Sequence, residues 1–410
     1  MNRSTDVEIL VAGGGMVGAA TAALLAGESA LAGARIVLVE PRPARFPAAD
    51  APLDLRVSAL SRATERALRA VGAWPMLERR APCPYERMLV WDAADDPDSS
   101  FALCFDAAEL GEPNLGHIAE NAAVNAALLA VAVERGVTVV NGELTGLELR
   151  PDGARVLMAD GERTVTLVIA ADGADSLLRD WAGITGEGAA YHSRAVVTHL
   201  QPERSHGATA RQRFLPSGPL ALLPLSDGRV SLVWSTTPDQ AQELVACEAS
   251  QFARAVTEAS GQVLGRLELT AARASFPLRR FQASRYATAR LALVGDAAHT
   301  VHPLAGQGVN LGFLDAVLLA RTVADAAASG QDIGDSGVLG RYARRRQAEN
   351  AVMGVALDGI ARLFTDPRTP ASAARRMGLS LVNRAPWLKS MFMRQALGIA
   401  RGAPPGPVGR

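Results

Sequence analysis

The chain has 410 residues, and its 42 basic and 42 acidic side chains give a formal net charge of zero. This length favours two domains over a single hydrophobic core, and the balanced charge excludes a nucleic-acid-binding protein with a basic surface. Lys389 is the only lysine, which excludes reactions that need a catalytic lysine elsewhere in the chain.

The cysteines and the hydropathy pattern indicate where in the cell the protein is expected. Cys83, Cys104 and Cys247 are spaced neither as metal ligands nor as a CxxC pair. No apolar run reaches the roughly 18 to 20 residues that a membrane-spanning helix needs, and a strand pattern that begins at Val7 leaves no room for a signal peptide. We therefore expect a cytoplasmic protein with free thiols.

The amino terminus has the pattern of a dinucleotide-binding fold. The apolar run Val7 to Ala12 predicts a strand, which leads through a glycine cluster into an alanine-rich helix ending near Gly27; a second strand, Arg35 to Glu40, closes on an acidic residue. Glycines at such a turn let the backbone approach a diphosphate at the helix amino terminus, and the acidic residue can accept hydrogen bonds from a ribose. The residues expected to bind the dinucleotide, FAD or NAD, are Gly13, Gly15, Met16, Val17, Gly18 and Glu40.

Two helices and two strands follow this unit. Ser61 is a helix N-cap residue, and the helix that it begins ends at Gly72. Another helix is predicted over about 120–135, with strands near 137–140 and 164–170.

The pattern then changes to short strands. Between 192 and 276, apolar runs are separated by Pro, Gly, Ser and Asp, which is typical of an antiparallel sheet. A buried strand is predicted at Leu291–Gly295 and a long helix from about Gly306, which is again the strand–helix pattern of the amino terminus. The β-rich segment is therefore predicted to be an insertion in the nucleotide-binding domain.

The segment after this last strand carries the most specific motif. Gly295-Asp296-Ala297-Ala298-His299 is followed by Pro303 and by Gly306-Gln307-Gly308-Val309-Asn310. This resembles the second FAD motif of flavoprotein aromatic hydroxylases, the family of para-hydroxybenzoate hydroxylase. In that family the aspartate contacts the ribityl chain, and the turn places a helix amino terminus where its dipole stabilises negative charge on reduced flavin. The resemblance implies that FAD is bound by Asp296, Pro303, Gly306, Gly308, Val309 and Asn310.

A shorter motif lies between these two. Ala171-Asp172-Gly173 follows a buried strand, and Arg179 falls in the short helix after it. An Asp-Gly pair is by itself a common turn. Its position here resembles the DG motif of the same family, which lies near the cofactor phosphates and the approach of the nicotinamide. We therefore expect Asp172, Gly173 and Arg179 at the cofactor.

Other segments resemble one group within that family, the ubiquinone-biosynthesis hydroxylases, and in particular its 2-polyprenylphenol hydroxylase branch. The resemblance extends from about Val7 to Gly402. The segments that carry it are 55–61, 79–92, 116–121, 218–225, 233–235 and 299–310.

Individual roles are carried over from the matching positions. Arg56 matches the family arginine that reaches the cofactor phosphates or the flavin edge. Asn121 stands where the family has a glutamine near the ribityl chain, so the amide is kept with a shorter reach. His302 and Pro303 lie in the turn before the flavin-side helix and are the catalytic candidates facing the substrate ring, although a histidine at a helix entry is often a local hydrogen-bonding residue. His299 is expected to be structural.

The resemblance implies an FAD-dependent monooxygenase that hydroxylates a polyprenylated phenol with O2. NAD(P)H would reduce the bound FAD, and the reduced flavin would form a C4a-hydroperoxide whose distal oxygen passes to the phenol. No second glycine motif follows a strand. NAD(P)H would therefore bind transiently, or a protein electron donor would replace it.

These patterns predict an α/β protein. We expect an FAD-binding Rossmann-like (ββα) domain assembled from discontinuous segments, an inserted, mainly antiparallel β-sheet substrate domain, and carboxy-terminal helices. The FAD-binding domain is assigned residues 1–76, 101–186 and 284–362, the substrate domain 77–100 and 187–283, and a helical segment with a disordered tail 363–410.

The carboxy-terminal segment is basic. After Asp366 the chain has eight Arg and Lys residues and no acidic one, with Trp387, Phe392 and Leu397 among them. This predicts either an interfacial helix on the anionic inner face of the plasma membrane or a helix packed on the FAD domain with its arginines in solvent. Either the membrane surface or a ubiquinone-biosynthesis complex would give access to a lipid-soluble substrate.

Two other functions stay open from the sequence. A hydroxylase of the same fold would act on a soluble aromatic compound, and a non-catalytic flavin-binding scaffold would serve a biosynthetic complex. The intact glycines of the first motif, with Asp172 and Asp296, disfavour a decayed site. A flavin-dependent halogenase is disfavoured because its lysine could only be Lys389.

Overall fold

The structure is a computed structural model that describes residues 7–301 and 307–365 and, near the carboxy terminus, 389–390, 393–394 and 397–398. The helices are α1 (Met16–Gly27), α2 (Arg62–Val71), α3 (Trp74–Glu78), α4 (Asn121–Glu134), α5 (Leu177–Trp181), α6 (Pro238–Ala246), α7 (Ala249–Ala259), α8 (Gln307–Ala328) and α9 (Ser336–Thr365). The strands are β1 (Glu8–Ala12), β2 (Arg35–Val39), β3 (Val57–Ser61), β4 (Cys83–Tyr85), β5 (Arg87–Asp92), β6 (Leu103–Asp106), β7 (Gly116–Glu120), β8 (Thr138–Val140), β9 (Leu144–Arg150), β10 (Gly153–Met158), β11 (Gly161–Val165), β12 (Leu167–Ala170), β13 (Gly186–Pro202), β14 (Thr209–Leu215), β15 (Gly218–Pro224), β16 (Val230–Thr236), β17 (Leu267–Leu269), β18 (Ala274–Ala283), β19 (Ala287–Thr288), β20 (Leu291–Leu293) and β21 (His299–Thr300).

A parallel sheet forms the centre of the first layer. Its order is β19-β20-β12-β1-β2-β8, and only the β19–β20 pair is antiparallel. The strands are short apolar runs buried on both faces, as a sheet covered by helices requires. Ala12, Ala170 and Leu293 are in register at the carboxyl edge. The three predicted motifs therefore begin side by side, and the predicted strand–helix unit at the amino terminus is confirmed.

The second layer is a large sheet of order β21-β18-β13-β16-β15-β14-β5-β6, with β17 paired to β13. It is antiparallel except for the β14–β5 pair, which confirms a mainly antiparallel sheet. Helices α6 and α7 cover its outer face through a core that includes Phe252 and Trp234. These two helices were not predicted within 192–276. β6 pairs into this sheet although residues 101–186 were assigned to the FAD domain; the domain limits stay predictions.

The described residues also form two three-stranded sheets. One has the order β3-β7-β4 and lies beside α2. The other has the order β11-β10-β9 and follows β8 in the chain; neither of its two hairpins was predicted from the sequence. Helix α2 matches its prediction, because the Ser61 hydroxyl accepts a hydrogen bond from the Thr64 N–H at 3.3 Å and Gly72 ends the helix with φ +87°.

Of the carboxy-terminal segment, a few residues are described. Met393 and Leu397 are buried in a cluster with Tyr85 and Leu115, and Lys389 Nζ lies 2.5 Å from Glu109 Oε1. Most of 363–410, including the predicted disordered tail, lies outside the described residues. Among the helices that are described, none has the length and hydropathy needed to cross a bilayer.

Candidate functional site

A cavity of about 750 Å³ separates the carboxyl edge of the parallel sheet from the inner face of the large sheet. Side chains from both layers line it. From the predicted site, the lining residues are Gly15, Met16, Val17, Gly18, Arg56, Asn121, Gly173, Asp296, Gly308 and Val309. The three motifs thus meet at one cleft.

The first glycine turn has two kinds of glycine. Gly13 has φ +99°, and a Cβ there would lie 2.3 Å from the Ala171 carbonyl oxygen; a Cβ on Gly18 would lie 1.9 Å from the carbonyl oxygen of Gly13. These two residues are required for packing. Gly15 is exposed at the N-cap of α1, and a Cβ there would have nothing within 4 Å. The amino terminus of α1 therefore opens to the cavity at Gly15.

Glu40 supports this turn from the end of β2. Its carboxylate accepts hydrogen bonds from the Gly14 N–H at 2.7 Å and the Arg42 N–H at 3.0 Å. Glu40 is not among the residues that line the cavity. A contact between its carboxylate and a ribose stays a prediction.

Asp296 stands in a single 3₁₀ turn, Gly295–Ala297, directly after β20. Asp296 is exposed and lines the cavity, and the protein around it removes part of its hydration. The resulting loss of hydration raises the pKa of Asp296, and the nearby charges of His299 and Arg56 lower it by less. The carboxylate, open to the cavity, can accept a hydrogen bond from a hydroxyl donor of a ligand.

A network of buried polar side chains binds the Gly295–Ala297 turn on the side away from the cavity. Asp315 on α8 accepts hydrogen bonds from the Gly295 N–H at 3.0 Å, from His299 Nε2 at 2.5 Å and from Arg346 Nε at 2.6 Å. Asn350 adds a fourth at 3.2 Å. The sequence reading did not identify Arg346 and Asn350. Their spacing of four on α9, which puts both on one helix face, was the available signal.

The DG segment is braced from within the protein. The Asp172 carboxylate accepts hydrogen bonds from Ser176 Oγ at 2.6 Å and from the Leu178 N–H at 3.2 Å, at the start of α5. Buried Arg179 donates from Nη1 to the carbonyl oxygen of Ala297 at 3.2 Å. Arg179 thus ties α5 to the turn that carries Asp296, and Gly173 lies at the cavity between them.

A buried ion pair fixes the loop that carries Arg56. Arg80 Nε lies 2.7 Å from Glu120 Oε2, and the guanidinium also donates to carbonyl oxygens of residues 48–52. Glu120 Oε1 in turn accepts the Asp54 N–H at 2.7 Å. The loop before β3 is therefore attached to β7 by hydrogen bonds at several points.

Arg56 and Asn121 lie on the same wall of the cavity. The Arg56 guanidinium is exposed, with its carbon 5.6 Å from the centroid of the Phe276 ring on β18. The Asn121 amide oxygen accepts a hydrogen bond from Ser58 Oγ at 2.7 Å, which leaves its amide nitrogen for a ligand. Asn121 thus lines the cavity; its contact with a cofactor stays a prediction.

The first turn of α8 closes the cavity floor with Gly308 and Val309. Asn310, predicted as a cofactor ligand, is buried and makes protein contacts: Oδ1 accepts from the Ser61 N–H at 2.9 Å, and Nδ2 donates to the Ala59 carbonyl oxygen at 2.8 Å. It attaches α8 to β3. His302, Pro303 and Gly306 lie outside the described residues.

Comparison with known proteins agrees with this geometry. The model of the FAD binding domain family matches residues 6–353. The chain is 37% identical over 396 residues to the 3-demethoxyubiquinol 3-hydroxylase of Escherichia coli (strain K12), covering 96% of this chain and 98% of that protein. It is 34% identical to the ubiquinone hydroxylase UbiL of Rhodospirillum rubrum, covering 98% and 91%, and 34% identical to the mitochondrial ubiquinone biosynthesis monooxygenase COQ6 of Homo sapiens, covering 95% and 92%.

Solved structures show the same fold. The p-nitrophenol 4-monooxygenase PnpA from Pseudomonas putida DLL-E4 superposes with a TM-score of 0.75 at 19% identity, covering 97% of this chain and 99% of that one. Klebsiella pneumoniae HpxO, solved with FAD and uric acid, gives a TM-score of 0.72 at 18% identity, with 98% of each chain covered. From the family match and the relatives that align over nearly its whole length, the chain belongs to the FAD-dependent hydroxylases of ubiquinone biosynthesis.

Proposed function

We propose that this chain hydroxylates the aromatic ring of a polyprenylated phenol, with FAD as cofactor, NAD(P)H as electron source and O2 as the oxygen donor. The observation that carries the proposal is the cavity itself. On one side it is bounded by the three motif turns, and on the other by a mostly apolar face of the large sheet. When bound, FAD supplies the activation of O2, and the protein must hold the ring against it and exclude water.

The described residues fit FAD. The open backbone at Gly15 and the amino terminus of α1 suit a diphosphate, and Glu40, at the end of β2 beside this turn, would accept from an adenosine ribose. Asp296 offers an acceptor to a ribityl hydroxyl, and the first turn of α8 at Gly308 would meet the pyrimidine edge of the flavin. Arg56 and Asn121 complete the wall.

We assign supporting roles to the predicted residues whose side chains bond within the protein. Asp172 and Arg179 hold the α5 segment against the Asp296 turn, and Asn310 holds α8 against β3. The catalytic roles of His302 and Pro303 stay part of the proposal without a described geometry.

The test is reduction and product formation by the purified protein. We expect a flavin absorbance spectrum, anaerobic bleaching of that spectrum by NADH or NADPH, and a product heavier by one oxygen atom when a prenylated phenol and O2 are added. Quinone intermediates should accumulate one hydroxylation short in a strain that lacks the protein. A purified protein without flavin would refute the proposal. NAD(P)H oxidation that no phenol affects would support the scaffold alternative, and turnover of unprenylated phenols alone would support the soluble substrate.

We further propose a peripheral contact with an anionic membrane or with a biosynthetic complex, because the chain after Asp366 carries eight basic residues and no acidic one. Deleting this segment would also remove Met393 and Leu397 from a core cluster. The sharper test is Arg375, Arg376 and Arg384 changed together to Glu. Lower binding to vesicles with anionic lipid would support the membrane contact, and unchanged binding would contradict it.

A further inference from the structure

The inner face of the large sheet covers the cavity with alternate residues of five strands. Most of these positions are small or apolar, so this face offers few hydrogen-bonding groups to a ligand. From these five strands they are Ala195, Val197, Ala210, Gln212, Ala221, Leu223, Ser231, Val233, Phe276 and Leu278; Met88, Arg211 and Thr300 of the same sheet also line the cavity.

Gln212 and Ser231 are the polar residues of this set, and they differ in accessibility. The Ser231 hydroxyl oxygen is enclosed by protein and has no hydrogen-bond partner. Gln212 lines the cavity with 5% of its surface exposed, and its amide atoms are not among the enclosed polar atoms. Of Gln212 and Ser231, Gln212 is therefore the one that a ligand in the cavity can reach.

The described cross-strand neighbours of Gln212 on the cavity face are apolar. Ala221 lies directly opposite on β15, followed across the sheet by Val233 on β16 and Val197 on β13. Within the described part of the chain, the Gln212 side chain makes no hydrogen bond. An amide held in apolar surroundings without a partner costs free energy, so packing does not explain a glutamine here.

We propose that Gln212 recognises the oxygen substituents of the substrate ring. Its amide oxygen can accept from a phenolic hydroxyl while its amide nitrogen donates to a neighbouring ring oxygen. One polar contact on an apolar face fixes the rotation of a flat ring, and with it the carbon that meets the cofactor. Gln212 is then a determinant of the hydroxylated position, an inference that rests on the proposed function.

The experiment compares two probes that differ by one hydroxyl group, 2-geranylphenol and geranylbenzene. Their dissociation constants are measured on the FAD-loaded protein from the perturbation of flavin absorbance. We expect Gln212→Met, which keeps the length of the side chain, to weaken 2-geranylphenol binding about tenfold, or ~1.4 kcal/mol. Geranylbenzene binding should change less than about twofold. Gln212→Asn, which keeps the amide but withdraws it, should shift binding in the same direction.

Gln201→Leu, an exposed glutamine on β13, is the matched control and should change neither constant. If Gln212→Met leaves the ratio of the two constants as in the wild type, the inference is wrong. Loss of bound FAD in that variant would also overturn it, because Gln212 would then contact the cofactor. A wild-type protein that carries no flavin or binds neither probe would instead refute the proposed function.

Discussion

The carboxylate of Asp315 lies 2.5 Å from Nε2 of His299, and both residues are buried. Burial alone would raise the pKa of Asp315, but the charges of His299 and Arg346 hold it below its ordinary value. The same carboxylate accepts the Gly295 N–H. One buried anion on α8 thus sets the position of the turn that presents Asp296 to the cavity.

Asp315→Asn should destabilise the protein by about 3 kcal/mol, because the buried Arg346 cation then keeps only the half-exposed Glu349 as a counter-charge. Urea unfolding measures the change. Asp325→Asn, on the exposed side of the same helix, is the control. Asp315→Asn should unfold at a lower urea concentration than Asp325→Asn. Bound FAD, from the ratio of flavin to protein absorbance, should fall in the first variant only.

Gly15→Ala separates a role in the fold from a role at the cofactor. The added methyl group meets no protein atom within 4 Å, and φ −66° suits alanine, so stability should change by less than about 0.5 kcal/mol. FAD affinity should fall tenfold or more, because the methyl group would stand where the diphosphate approaches. Gly142→Ala, also in open space, is the control. Undiminished FAD affinity in Gly15→Ala would contradict the placement of the diphosphate.

Asp296→Asn should raise the melting temperature of the FAD-free protein while weakening FAD binding. The pKa of Asp296 is raised in the folded state, so the unfolded chain loses its proton first as pH rises. The ionisation of this group therefore costs stability above the ordinary pKa near 3.8. Melting temperatures of both proteins at pH 4 and pH 7 measure the effect. The gap between them should widen toward pH 7, and a constant gap would show that Asp296 is well hydrated.

Arg80→Ala should loosen the loop that carries Arg56, because Arg80 joins Glu120 to the carbonyl oxygens of that loop. Limited trypsin digestion measures this as faster cleavage after Arg45 and Arg56, with the rate rising severalfold. The neighbouring Arg79 is exposed, and Arg79→Ala should leave the rates of cleavage after Arg45 and Arg56 unchanged. Equal rates in both variants would mean that other contacts hold the loop.

The parallel strands and their turns could be predicted because their signal is local. The runs that became β1, β12 and β20 are short and apolar, and each ends at a glycine or Asp-Gly turn. Helices α6 and α7 were missed within the β-rich segment, although Thr237 followed by Pro238 is a helix-start signal that caps α6 in the structure.

The side-chain pairs behind the site could not be predicted in the same way. Arg80 and Glu120 are 40 residues apart, and Arg346 is 31 residues from Asp315. No local periodicity connects such partners, since only the fold brings them together. The proposed role of Gln212 could not be predicted either, because it depends on apolar neighbours from three other strands.

The strand order of the parallel sheet has a consequence for how the protein is made. β12 lies between β1 and β20, so the edge that collects the three turns is complete only when the ribosome has passed Leu293 and the helices that cover it. Until then β12 presents an unpaired border, and such borders promote aggregation. A cofactor that contacts all three turns can therefore bind only after most of the polypeptide has emerged.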